Sequence, residues 1–351
     1  MQTKKKAVWN GVFLFAVFGL TIYGVFHGED LTAMAQAIRG ADFGWLAVGI
    51  LFVLFFIWGE SIIIWYMMRS FQIFLKKRIC FLFSSVGFFF SCITPSATGG
   101  QPMQIYYMRK ERIPVPVATV VLMVVTITYK LVLVVIGLGI LCFAPGFLHR
   151  YLEEILPVYY LGIALNVFCV SFMTLLVFHP LLAERIVLAC MDGLERLHLL
   201  KKKKERRIRF QESMQVYRET AAYLKEHKRV IFHVIMITFL QRLALFAVTW
   251  MVYRSFHLSG TSMWDIVLLQ AVISVSVDML PLPGGMGISE TLFLKIFVPV
   301  FHAATLPAMV LSRGLGYYSQ LLISAVFTVA AHMYYMMRAS AREKSEQAEC
   351  Q

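Results

Sequence analysis

This sequence predicts an all-α, polytopic integral membrane protein with about six full spans plus two re-entrant broken-helix hairpins in an inverted repeat. Three observations predict it. Hydrophobic residues make up 59% of the 351 positions and charged residues only 15%, whereas a soluble domain carries roughly a quarter charged residues. Several apolar runs approach the ~20 residues that cross ~30 Å of hydrocarbon as a helix. Two further runs are broken by glycine and proline at matching places in the two halves, around Gly99 and Gly100 and around Gly284 and Gly285.

The first element is an apolar run at about 8–26, preceded by Lys4, Lys5 and Lys6. It is too long for a signal-peptide core and lacks a small-x-small cleavage site, so it reads as a retained span. Basic residues mark cytoplasmic ends. The N-terminus is therefore inside, and the loop 27–42, with Glu29, Asp30 and Asp42 against Arg39, is outside. Leu31, Met34, Ala35 and Ile38 recur at helical spacing and Asp30 suits an N-cap, so a short interfacial helix is expected there. A second span, about 43–68, returns to Lys76, Lys77 and Arg78. The first broken segment, about 79–108, starts at that basic cluster and ends at Arg109, Lys110 and Arg112, so it enters and leaves on one side. As a helix its first arm, 79–94, is about 24 Å long, short of a crossing.

Spans at about 117–143 and 158–178 follow, then a cytoplasmic basic linker at 179–229. Its 201–209 run holds seven basic residues and one acid, a topogenic loop that also suits anionic lipids at the inner leaflet. The net charge of +13 is thus read as membrane orientation, with no nucleic acid as partner. Within the linker Met214, Tyr217, Ala221 and Leu224 share one helical face, which points to an amphipathic helix lying on the membrane. A span at about 230–253 exits, the second broken segment at 265–301 begins and ends outside, and a last span at 309–336 returns to Arg338 and Arg342. Span, span, hairpin, span occurs twice with opposite orientation. Half one covers about 8–143 and half two about 158–336, within one domain at 1–340 followed by a cytoplasmic tail at 341–351. Both termini are expected in the cytoplasm of a cell-membrane protein. Trp45, Trp65, Tyr66, Tyr159 and Tyr160 read as interfacial belt residues, and Lys295 as snorkelling. The six cysteines show no Cys-x-x-Cys spacing, so no disulfide framework or metal site is expected.

Unwound backbone survives in a bilayer only where protein or a wet cavity satisfies it, and a matched pair of interrupted segments points to a transporter's substrate site. In the first break, Thr94, Ser96, Thr98 and Gln101 lie beside backbone that Pro95, Gly99, Gly100 and Pro102 free from the helix. They either line a headgroup site or simply turn the hairpin. In the second break, Pro281, Pro283, Gly284, Gly285 and Gly287 prevent a continuous helix. Glu290 falls in the first turn after it, where the helix dipole favours an acid by ~0.3–1 kcal/mol. An ionisable group within the membrane costs ~2.5–3.5 kcal/mol, so a partner or a wet site is expected. Glu60, Lys130, Arg242, Asp278 and Arg313 also fall within apolar segments. These six charges either pair to set helix register or face a cavity. The bases suit a lipid phosphate, while the acids suit a cationic headgroup or a coupling proton, with Glu60 and Asp278 assigned to charge pairing or coupling. Tyr317 shares a face with Arg313, and Tyr318 follows it. The candidate substrate-binding set is therefore Thr94, Ser96, Gly99, Gly100, Gln101, Lys130, Arg242, Pro283, Gly284, Gly285, Gly287, Glu290, Arg313 and Tyr317. No catalytic residue, metal or cofactor is expected, since there is no Gly-x-Ser-x-Gly, His-Glu-x-x-His or Walker-type loop.

The stretch with Pro95 and Gly99-Gly100-Gln101-Pro102 resembles the membrane domain of bacterial lysylphosphatidylglycerol synthases. So do Pro283-Gly284-Gly285-Met286-Gly287 with Glu290, and Arg313 with Tyr317 and Tyr318. The likeness runs over about 8–336, with Gln101 standing where many relatives carry Gly-Glu. Full-length relatives join a cytoplasmic domain that transfers lysine from lysyl-tRNA to phosphatidylglycerol to a membrane domain that moves the product between leaflets. Here about 15 residues follow the last span and the largest cytoplasmic loop has about 50, so no synthetase domain is expected. The resemblance implies a lipid flippase whose substrate is a phospholipid such as an aminoacylated phosphatidylglycerol, supplied by a separate lysyl-lipid synthetase. A phosphatidylglycerol lysyltransferase component and a membrane scaffold are the alternatives. With no ATP site, movement would be downhill or coupled to protons or membrane potential.

Overall fold

The computed structural model describes residues 31–144, 146–147, 151–196 and 204–349, and every regular element among them is helical. Five segments are long and apolar enough to cross a membrane: Phe43–Ser70, Val115–Phe143, Glu153–Phe178, Lys228–Ser255 and Val298–Arg338. They match five of the six expected spans. The sixth, at 8–26, lies outside the described residues, as do Lys4, Lys5, Lys6, Asp30 and positions 201–203.

The short helix expected near residue 31 is α1 (Leu31–Arg39). Asp42 then starts α2 (Phe43–Ser70) by accepting from the Gly44 amide at 2.7 Å, which satisfies one of the helix's orphan donors. The first broken segment is α3 (Lys77–Ile93), a tight turn at Pro95–Ala97, and α4 (Gly100–Lys110). Next come α5 (Val115–Phe143), α6 (Leu156–Phe178), α7 (Pro180–Arg196), α8 (Lys204–Glu226) and α9 (Lys228–Ser255). The second broken segment is α10 (Met263–Val277), a turn at Pro283–Gly285, and α11 (Ile288–Ile296). After α12 (Val298–Phe301) and α13 (Thr305–Arg313), a π-helical turn at Gly314–Ser319 leads into α14 (Gln320–Glu349). The last span therefore starts earlier than the expected 309 and is interrupted. Pro299 and Pro307 each remove an amide donor, so the chain stops and restarts before the π turn.

The two halves run against each other. The Asp42 amide, at the start of α2, donates to the Ser255 carbonyl at the end of α9, 2.8 Å away. Near the other end, Tyr66 Oη lies 2.8 Å from His233 Nδ1. The equivalent helices α2 and α9 are thus antiparallel along their whole length. Each hairpin follows the C-terminal end of its own helix, so the two enter the fold from opposite ends. That is the geometry of an inverted repeat.

Packing divides the interior into two apolar cores. One joins hairpin α10–α11 to the N-terminal part of α2 (Val53, Phe56, Ile57) and the C-terminal part of α9 (Phe246, Val252). The other joins hairpin α3–α4 to the opposite parts of those helices, with Ile63, Ile64 and Met67 from α2 and Val230 and Val234 from α9. Glu60, Lys130 and Arg242 fall at the points where α2, α5 and α9 pass from one core to the other. The polar site lies between the cores.

Two surface expectations are corrected. Tyr159 is fully buried and donates to the Gly137 carbonyl at 3.0 Å, so it is a core residue and not a belt residue. The face of Met214, Tyr217, Ala221 and Leu224 is likewise buried, with α8 packed on α5. It docks on protein and not on lipid. The Leu176 carbonyl, near the end of α6, loses its usual helical donor because residue 180 is proline, and Tyr217 Oη supplies that hydrogen at 3.1 Å. Tyr217→Phe is therefore expected to lower stability by about 1 kcal/mol in denaturant titrations of the detergent-solubilised protein. A face lying in lipid would instead tolerate or favour the loss of the hydroxyl.

Candidate functional site

The breaks of the two hairpins meet. Residues of the Pro95–Ala97 turn lie within 8 Å (Cα–Cα) of residues of the Pro283–Gly285 turn. A single tyrosine ties them together. Tyr317, on the π turn, donates from Oη to the Cys92 carbonyl at 2.9 Å, while its ring covers Gly284, where a Cβ would overlap it. Beneath this junction lies a cavity of about 740 Å³ walled by both hairpins, α2, α5, α6, α9 and the last span.

The backbone at the second break needs glycine. Gly284, Gly285 and Gly287 have φ of 57°, 66° and 85°, a region that side chains disfavour. The turn releases the Gly284 carbonyl, which accepts from Arg313 Nη2 at 3.0 Å. Gly287 then starts α11, and its amide donates to Glu290 Oε2 at 2.7 Å. Ser289 Oγ donates to the same oxygen at 3.1 Å, and Arg313 Nε donates to Oε1 at 2.7 Å. Glu290 is thus a buried, three-donor carboxylate that fixes Arg313 at the cavity wall. Arg313 in turn lies 4.6 Å over the Tyr317 ring, as their shared helical face implies.

A second ion pair crosses the cavity between the halves. Lys130 Nζ donates to Asp278 Oδ2 at 2.5 Å, and Tyr129 Oη donates to Oδ1 at 2.7 Å. Both side chains of the pair are only 11% exposed. Glu60 accepts from Gln104 Nε2 at 2.8 Å, which joins α2 to hairpin one. Arg242 stacks on the rings of Tyr129 and Phe56, at 3.2 and 4.9 Å from their centroids. Charges that are expensive in hydrocarbon are met here by opposite charges, amides and aromatic faces.

Of the candidate residues, Glu60, Gln101, Lys130, Arg242, Asp278, Gly284, Gly285, Arg313 and Tyr317 line the cavity. Thr94, Gly99, Gly100, Pro283, Gly287 and Glu290 build its wall from behind. Thr94 Oγ1 donates to the Phe90 carbonyl and accepts from the Gly99 amide, closing the hairpin tip on itself. A Cβ on Gly99 or Gly100 would collide with Thr94 or Ser91, so these glycines serve close packing. Ser96 lies in the turn between α3 and α4. Thr98, offered with them as a polar side chain, does reach the cavity. Lys295 ion-pairs with Glu154 at 3.3 Å on the exposed surface.

Several lining residues escaped the sequence reading. Tyr129 was hidden beside Lys130. Gln104, three residues after Gln101 on α4, shares its face, and Gln101 Nε2 donates to the Thr126 hydroxyl. Thr249 donates to Gln270 Oε1 at 3.0 Å and lies 2.8 Å from Ser312 Oγ, a polar link among three segments of half two. Isolated Gln, Thr and Ser residues in aliphatic runs were the available signal.

No curated protein matches the chain. The family model described as the lysylphosphatidylglycerol synthase TM region matches residues 8–324, a range that contains both breaks and all six intramembrane charges. The chain belongs to that family, and is a membrane protein tied to lysylphosphatidylglycerol metabolism.

Proposed function

We propose that this protein is a lipid flippase that moves a phospholipid such as an aminoacylated phosphatidylglycerol between leaflets. One observation carries the reading: two broken hairpins entering from opposite ends meet over a cavity of about 740 Å³ that carries charges near the middle of its helices. Broken helices at a repeat interface are the recurrent form of a transporter's substrate site, and the cavity is within the ~300–1,000 Å³ of ordinary ligand sites. The headgroup would occupy this space with the acyl chains left in lipid. Rocking of the halves would expose it to each side in turn. The termini and the basic linker face the cytoplasm, where residues 201–209 hold anionic lipids, and lysyl transfer belongs to a separate synthetase.

A scaffold reading accounts for the Lys130–Asp278 and Arg313–Glu290 pairs as register locks, but not for a cavity of this size between them. Reconstitution into liposomes with labelled aminoacylated and anionic lipids tests the proposal. Faster leaflet exchange of these lipids than in protein-free liposomes is the expected result. Exchange at the protein-free rate overturns it, and lysyl transfer by the purified chain would favour the synthase alternative.

A further inference from the structure

Arg242 differs from the other bases of the cavity. Lys130 is neutralised by Asp278 and Arg313 by Glu290, but Arg242 has no ion pair among the described residues. It is only 7% exposed, and among the described residues its Nε has no hydrogen-bond partner. A buried, unpaired cation is costly. Stacking on Tyr129 offsets part of that cost through the ring face, yet it satisfies none of the N–H donors, which point outward in the guanidinium plane. The stack is held in place, because Tyr129 Oη is fixed by Asp278 at 2.7 Å. The result is a guanidinium fixed at the cavity, with its Nε unpartnered among the described residues and Glu60 and Asp278 lining the same space.

We propose that Arg242, stacked on Tyr129, is the receptor for one oxyanion of a phosphodiester, supplied by the headgroup of a membrane lipid. The lipid source rests on the transport reading, whereas the anion site follows from the arginine itself. Charge favours a monoanion. A phosphate dianion brings one more negative charge than a phosphodiester into a cavity that already holds Glu60 and Asp278. A guanidinium edge also matches two oxygens of one phosphate group in bidentate fashion.

The test is equilibrium binding to the purified full-length protein in detergent, with no leaflet exchange required. Three probes are compared: dihexanoyl phosphatidylglycerol, dihexanoylglycerol without phosphate, and inorganic phosphate. Wild type is expected to bind the phosphatidylglycerol saturably and at least about tenfold more tightly than either other probe. Arg242→Gln is expected to lose that preference. Arg242→Lys, which keeps the charge without the planar fork, should recover only part of it. Lys295→Gln, at the exposed surface pair, should bind as wild type. Unchanged binding in both Arg242 variants, equal binding of dihexanoylglycerol, or no binding at all overturns the site. Inorganic phosphate binding as tightly as the lipid overturns the lipid as its source. Arg242-dependent binding without leaflet exchange in liposomes would sink the flippase reading and leave this site standing.

Discussion

Arg313→Ala is expected to lower the unfolding free energy by about 3–5 kcal/mol, because it strands a buried carboxylate. Glu290 is 5% exposed in its side chain. Its Oε2 is served by the Gly287 amide and Ser289, but among the described residues Oε1 has only Arg313 Nε. Removing the guanidinium also deprives the Gly284 carbonyl of its donor at the turn. Both losses fall on the start of α11, so hairpin two should loosen first. Hydrogen exchange in detergent should show α11 opening ahead of α2 and α9. Glu290→Gln combined with Arg313→Met removes both charges together and should recover most of the lost stability. Urea titration of the three proteins checks the ordering. An Arg313→Ala midpoint equal to wild type would mean the pair does not hold the hairpin.

Gly284→Ala is the second large effect, acting through backbone and packing together. Its φ of 57° costs a residue with a side chain about 1–3 kcal/mol. The added methyl also overlaps the Tyr317 ring, a rigid neighbour, and overpacking of this kind costs a further ~1–3 kcal/mol. The tyrosine cannot simply retreat, since its hydroxyl is committed to the Cys92 carbonyl. Gly284→Ala should therefore separate the two hairpin tips as well as destabilise them. Combining it with Tyr317→Ala relieves the overlap but not the backbone strain, so the pair should be less damaging than the sum of the single changes. Gly314→Ala is the control: no atom lies within 4 Å of a Cβ there, and its stability should stay within ~0.5 kcal/mol of wild type. Strict additivity of Gly284→Ala and Tyr317→Ala would show that ring and turn do not interact.

The five described spans and the breaks were legible because each depends on local chemistry. A run of ~20 apolar residues is a crossing helix wherever it occurs, since only internal hydrogen bonds survive in lipid. Proline without its amide and glycine at positive φ interrupt a helix without help from neighbours. The six intramembrane charges were equally visible, as was their need for partners, because an isolated charge in hydrocarbon is expensive at any position.

Which charge meets which was decided by the tertiary structure alone. Lys130 and Asp278 are 148 residues apart, and only the antiparallel seating of α2 on α9 brings the halves into register. The same holds for the isolation of Arg242, which became evident once the other two bases were seen to be taken. The buried face of α8 was misread because apolar periodicity reports a face that avoids water, and lipid and protein both meet that demand. Tyr159 was misread because a tyrosine near a span end suits the interface, whereas here its hydroxyl finds the Gly137 carbonyl inside the core. Local sequence thus determined where this chain must leave the helix and where charge enters the membrane. Long-range packing determined what those groups touch, since pairing requires approach within a few ångströms and no residue's own chemistry encodes the distance to a helix elsewhere in the chain.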